Sequence, residues 1–246
     1  MKRRISIALI LLSIPLASQD KEYLPQWQDG YMDIHVIATG RGDATFIIMP
    51  DGTTMLIDCG DVGYRRNYPI LPDDSKTPAQ WVDTYIRRFS EGVPSPGRID
   101  HFLLIHFHTD HMGNTDTMKE GKRYGLSGVT EITEYLSFGK WVDRGWLSYD
   151  FPSEKFMNSV TGQFMNQYRL FVPYQQKKRK TTFERFVVGS ADQFCLVNTP
   201  EKYAGKFEIR NLGACSESWT GNGLETPVAE VCGQDDLHRA HRGQSL

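Results

Sequence analysis

Between positions 106 and 111 the sequence reads His-Phe-His-Thr-Asp-His. Three imidazoles and a carboxylate fall within these six residues, in a chain of 246 residues with only 7 histidines. Imidazole nitrogens and carboxylate oxygens are the donors that zinc takes, and that iron or manganese accept as well. His106 and His108 stand two apart, so on an extended segment both rings leave the same side and can grip one cation. Asp110 and His111 then turn towards a neighbouring position. Two divalent cations held about 3.5–4 Å apart activate a water, polarise a carbonyl or phosphoryl oxygen and steady a leaving group. Gly113 removes a side chain where backbone must pass close to such a site.

The elements that must position this cluster are legible around it. The preceding run His101-Phe-Leu-Leu-Ile-His106 lacks polar alternation, as in a short strand covered on both faces. Upstream, "MDIHVIATG", "DATFIIMP" and "MLIDCG" read as three strands, the last two joined at the Asp51-Gly52 turn, and an antiparallel arrangement is expected. "TPAQWVDTYIRRFSEG" has a Thr cap, a first-turn Pro and aromatics at four-residue spacing, which predicts an amphipathic helix. The cluster therefore belongs at the C-terminal end of a strand in a layered α/β fold, the edge where ligands bind. Further on, "YLSFGKWVDRGWLSYDFP" reads as an aromatic loop or lid, and "SEKFMNSVTGQFMNQYRLFVPYQQ" as a helix. "FERFVVG", "QFCLVN" and "KFEIRNLGA" read as further strands, and the charge run at 175–180 as a solvated turn.

Bulk properties narrow the setting. A formal net charge of −2 gives no global field towards nucleic acid or anionic lipid. Residues 1–18 carry a basic start, "MKRR", and the apolar run "ISIALILLSIPLA", the pattern of a secretory signal peptide. The run is too short for a comfortable bilayer span. The expectation is therefore an exported, periplasmic or extracellular protein with no stable membrane span after cleavage. Export permits disulfides, and Cys59, Cys195, Cys215 and Cys232 allow three full pairings. Cys59 follows a buried-looking strand and is expected to be a packed, unreactive thiol. No Cys-x-x-Cys spacing suggests a thiolate zinc site.

The "HFHTDH" segment resembles the His-x-His-x-Asp-His signature of the metallo-β-lactamase superfamily. "GRGDATFIIMPDGTTMLIDCG" resembles the opening of that fold, in the form most similar to the branch containing the soluble domain of the competence protein ComEC. The resemblance is dense over residues 31–114 and thinner to residue 223. It implies an α/β (α+β) fold, the αββα sandwich, with its N-terminal half well represented and its C-terminal half incomplete. It implies a metal-dependent hydrolase with two Zn2+ ions, Mn2+ or Fe being alternatives, acting on a small-molecule or nucleic-acid phosphodiester. Residue by residue, His106 and His108 would hold the first metal, and Asp110 and His111 the second. Asp110 could also orient the attacking water or take up a proton, as the catalytic carboxylate. Asp58 would lie beneath the ligands, or serve only as a turn-capping carboxylate. Asp43 would lie at the site mouth, or on a surface turn. The alternatives in function are hydrolysis of a lactam or ester, and a non-catalytic relic or binding module.

The resemblance also implies later ligands: two more histidines and a bridging aspartate. No histidine occurs between His111 and His238. Two accounts are open. In one, the domain spans residues 23–223, residues 224–246 form a disordered tail of no family origin, and the late ligands are missing. In the other, Asp235, Asp236, His238 and His241 supply them. The first is expected, because no strand-like run brings the polar tail back to the sheet edge. Four ligands from one loop, divided between two ions, leave each below its usual coordination, so weak metal binding is predicted.

Overall fold

The computed structural model describes residues 24–62, 69–121, 123–149, 158, 160–214, 217–222 and 224–225. The predicted signal peptide and the tail residues Asp235, Asp236, His238 and His241 lie outside the described residues. Among the described residues no helix is long and apolar enough to cross a membrane.

Six strands form one mixed sheet in chain order: β1 (Asp33–Val36), β2 (Thr45–Ile48), β3 (Thr54–Ile57), β4 (Arg98–Leu103), β5 (Ser137–Asp143) and β6 (Thr182–Arg185). β1, β2 and β3 pair antiparallel, as their short connections require. From β3 to β6 every pairing is parallel, so these strands end at one common edge. Helices fill the crossovers: α1 (Pro78–Phe89), α2 (Thr109–Met112), α3 (Gly128–Glu131) and α4 (Val160–Tyr174). The mixed α/β class expected from the sequence is present. A separate small sheet joins β7 (Gly213–Ala214), β8 (Glu217–Trp219) and β9 (Leu224–Glu225).

Strand periodicity sorts the side chains onto two faces. Phe46, Leu56, Phe102, Trp141 and Phe183 lie on one face and pack with Val82 and Ile86 of α1 and Phe164, Tyr168 and Phe171 of α4 in the main core. Phe102 stacks on Trp141 with ring centroids 3.8 Å apart, and Trp141 Nε1 donates to Tyr168 Oη at 2.8 Å. The start of α1 closes with a capping box: Thr77 Oγ1 accepts from Gln80 N, and the Gln80 side chain accepts from Thr77 N.

The opposite face carries Ile47, Met55 and Val142, covered by Phe194 and Leu196 and flanked by Phe207 and Ile209. The covering segment is irregular, so "QFCLVN" is not the strand expected, and of "KFEIRNLGA" only Gly213–Ala214 is a strand. The Gln193 side chain does the work of a ladder there: Oε1 accepts from Val187 N at 3.0 Å and Nε2 donates to Arg185 O at 2.8 Å. The cover stops short of β1, where Ile34 and Val36 are 60% and 81% exposed.

The aromatic segment read as a lid is the second correction. Its first part, Ser137–Asp143, is an interior strand of the sheet, with Trp141 fully buried. The charge run at 175–180 continues α4 through one π turn, Gln175–Arg179, in which Gln175 is buried and residues 177–180 are exposed. Cys59 is a buried free thiol and Cys195 an exposed free one; Cys215 and Cys232 lie outside the described residues.

Candidate metal centre

The cluster follows β4 at the common C-terminal edge. Beyond the strand Leu104 N still donates to Val142 O of β5 at 2.9 Å, and Thr109–Met112 then make one helical turn. His106 Nε2 and His108 Nδ1 approach to 3.1 Å, as two rings leaving one side of an extended segment should. One donor atom each from His106, Asp110 and His111 fall within 4.8 Å of one another. His106, Asp110 and His111 thus gather as one group at the sheet edge, with His108 packed against His106.

Two neighbouring loops hold this segment in place through main-chain bonds. After β3, Cys59 N donates to His111 O at 3.1 Å and Asp61 N to Thr109 O at 2.9 Å. From the loop before β2, Asp43 N donates to Asp110 O at 2.7 Å, and Gly60 N donates to Asp43 O at 3.0 Å. This mesh explains two glycines. A Cβ on Gly60 would lie 1.6 Å from Asp110 O, and one on Gly128 would lie 2.4 Å from Cys59 O. Beneath the mesh, Ser127 Oγ and Thr117 Oγ1 both donate to the buried Asp61 carboxylate, at 3.0 and 2.9 Å.

Asp58 lies directly under His111. Its Oδ2 is 2.8 Å from His111 Nδ1, and its Oδ1 accepts from Ile105 N at 2.9 Å. The residue is buried and holds a positive φ of 59°, a conformation that disfavours ordinary side chains and concentrates at functional sites. One carboxylate thus both caps the turn at Ile105 N and contacts the His111 ring. With Nδ1 engaged, His111 Nε2 is the ring nitrogen left for a cation. Asp43 Oδ2 lies 3.5 Å and Asp110 Oδ2 3.6 Å from that nitrogen.

The protonation pattern follows from these contacts. Burial, reinforced by His111 and His108, lowers His106 to about 4, so its ring is neutral and free to donate a lone pair at neutral pH. At His111 burial works downwards, but the hydrogen bond to Asp58 and the charges of Asp58, Asp110 and Asp43 outweigh it and raise the pKa. Burial raises Asp58 as well, against the opposing pull of His111 and the Ile105 N–H. Cys59, beside the site, is raised well above the ordinary thiol range by burial and by the nearby Glu131, Asp61 and Asp58 carboxylates, so it is a packing group.

One group near the centre escaped the sequence reading. Arg144 follows β5 at the same edge, with its guanidinium carbon 5.5 Å from the centre of the Phe107 ring. Its positive charge contributes to the lowering of His106. Recognising residues 137–143 as a parallel strand would have brought Arg144 to the site edge, because its neighbour β4 ends there. Asp143 shapes the turn by accepting from Gly145 N and Trp146 N, both at 2.8 Å.

The residues present fit a divalent cation. Neutral imidazole and carboxylate donors converge from a preformed loop, and a buried carboxylate orients His111 from behind. Among the described residues no histidine beyond His111 joins them.

Neither a protein-family model nor a curated protein matches this chain. In structure, 61% of the chain aligns with 44% of a crystal structure described as hydrolase AbOPH in the beta lactamase superfamily, at 19% identity and a TM-score of 0.33. The chain thus spans less than half the length of that hydrolase, and so distant a likeness leaves the site to be read from its own residues.

Proposed function

We propose that the chain is an exported metal-dependent hydrolase of the metallo-β-lactamase superfamily, close to the ComEC-like group, acting on phosphodiesters. The observation that carries this reading is the convergence of His106, Asp110 and His111 donor atoms within 4.8 Å, at the C-terminal edge of parallel strands. The "HFHTDH" and "GRGDATF…LIDCG" segments support the superfamily and the branch by sequence resemblance.

Divalent cations at this position would lower the pKa of a water and polarise a phosphoryl oxygen. His106 and His108 would hold one ion, and Asp110 and His111 the other. Asp58 keeps His111 in the tautomer whose Nε2 is left for a cation. Asp110, 39% exposed at its side chain, would orient the attacking water and receive its proton. Arg144 adds a cation beside the cluster, which suits an anionic substrate.

The test has two parts. Calorimetric zinc titration of the purified chain is expected to show weak uptake. Turnover of bis-p-nitrophenyl phosphate is then expected to exceed that of a chromogenic cephalosporin with Zn2+ or Mn2+ present. A reversed preference points to lactam or ester hydrolysis. Metal uptake with no turnover of either substrate points to a binding module, and no metal uptake at all overturns the reading.

A further inference from the structure

We infer that Asp43 is a metal ligand, the third protein donor of a cation also held by Asp110 and His111. The inference deepens the reading of the cluster as a metal centre and rests on it.

Three observations converge. The first is distance. Asp43 Oδ2 and Asp110 Oδ2 lie 3.5 and 3.6 Å from the same nitrogen, His111 Nε2. Those separations are long for charge-assisted hydrogen bonds, which run at about 2.7–2.9 Å. Each is close to the spacing of two donors on one tetrahedral cation, whose atoms about 2.0–2.1 Å from the ion stand roughly 3.3–3.4 Å apart. The second is that His111 has no need of a further orienting partner, since Asp58 already holds Nδ1 at 2.8 Å.

The third is the construction of the loop that carries Asp43. Gly40 has φ +109° and no room for a Cβ, which would meet Pro69 O at 2.4 Å. A Cβ on Gly42 would meet Gly60 O at 2.4 Å, and Ala44 is buried. The Asp43 main chain is pinned on both sides by its bonds to Asp110 O and Gly60 N. Each of these positions is explained by packing except the Asp43 side chain, which is 66% exposed and faces His111. This exposed carboxylate, on so constrained a backbone, is aimed at a ring whose other nitrogen Asp58 already holds. Ligation accounts for that aim and raises the second ion to three protein donors, the number usual for catalytic zinc with a position left for water.

The experiment uses the full chain as wild type, Asp43→Asn and Asp43→Glu, with Zn2+ alone as the probe. Affinity and stoichiometry are read by calorimetry, and the metal-free melting temperature serves as a check on folding. In wild type two equivalents are expected. In Asp43→Asn one equivalent is expected to weaken by at least about tenfold, with the other unchanged and the metal-free melting temperature preserved. Asp43→Glu, which keeps the carboxylate, is expected to retain most of the lost affinity. Equal binding by wild type and Asp43→Asn overturns the role of Asp43 and leaves the metal centre standing. Equal losses in Asn and Glu variants, or a drop in metal-free stability that accounts for the loss, also overturn it. A wild type that takes up no zinc removes both this inference and the functional reading beneath it.

Discussion

Asp58 and His111 form a hydrogen-bonded pair at 2.8 Å, and the same carboxylate ties down the backbone N–H of Ile105 on the strand that delivers His106. One buried acid therefore fixes both the tautomer of one candidate ligand and the path to another. Replacing it with Ala should free the His111 ring and loosen the approach to His106 while removing none of the proposed ligands. The expected result is a loss of roughly 10–100-fold in zinc affinity, read by calorimetry, with no change in stoichiometry.

The raised pKa of His111 sets how metal uptake varies with pH. A proton on Nε2 competes with the cation, so affinity should climb as pH rises from 6 through the neutral range and level off once that proton is lost. His106, lowered to about 4, should add no pH dependence in that window. Zinc titrations at pH 6, 7 and 8 in two buffers of different ionisation enthalpy will show whether one proton is released per ion bound. Affinity flat across this range would contradict the assignment of His111 as a ligand.

Two histidines outside the cluster add to the acid sensitivity that the lowered His106 confers. Burial lowers the pKa of His101, whose Nε2 lies 2.7 Å from Cys195 O and whose Nδ1 is buried without a hydrogen-bond partner. Burial also lowers His35, packed against Tyr85 and Phe89. The unfolded chain takes up these protons at about pH 6.5, before the folded chain does, so stability falls as pH drops below that value. The metal-free melting temperature should decline between pH 7 and pH 5, and His101→Gln should flatten the decline. A melting temperature constant over that range would rule out both groups as the cause.

Gly60 carries a prediction independent of any metal. Adding a methyl group there drives a Cβ to within 1.6 Å of Asp110 O and 2.9 Å of His111 N, both of them main-chain atoms that cannot rotate away. Gly60→Ala should cost roughly 2–4 kcal/mol of stability, seen as a lower denaturation midpoint in the metal-free chain.

Much of this was legible before the fold was in view, and the exceptions share a cause. The hairpin strands, the capped helix α1 and the donor cluster each announce themselves through local chemistry: an Asp-Gly turn, a Thr-Pro start, imidazoles at two-residue spacing. β5 did not, because Gly139 and Lys140 interrupt its apolar run and its aromatics are shared with neighbouring strands. Lys140 is satisfied only through the tertiary fold, by Glu184 at 3.2 Å and Gln193 O at 3.0 Å. The segment over the second face failed in the opposite sense. Its apolar residues alternate like a strand, but the Gln193 side chain replaces the ladder, and no short window of sequence reports such a substitution. Asp58 and Asp43 were visible as acids beside glycines; their convergence on His111 needed the parallel sheet to bring three loops to one edge.

The main-chain bonds linking Asp43, Cys59, Gly60 and Asp61 to the loop of Thr109, Asp110 and His111 carry a final consequence. A cation arriving here meets donors that have already surrendered most of their freedom, so little ordering remains to oppose capture. Uptake should then be limited by shedding water from the ion rather than by rearrangement of the polypeptide.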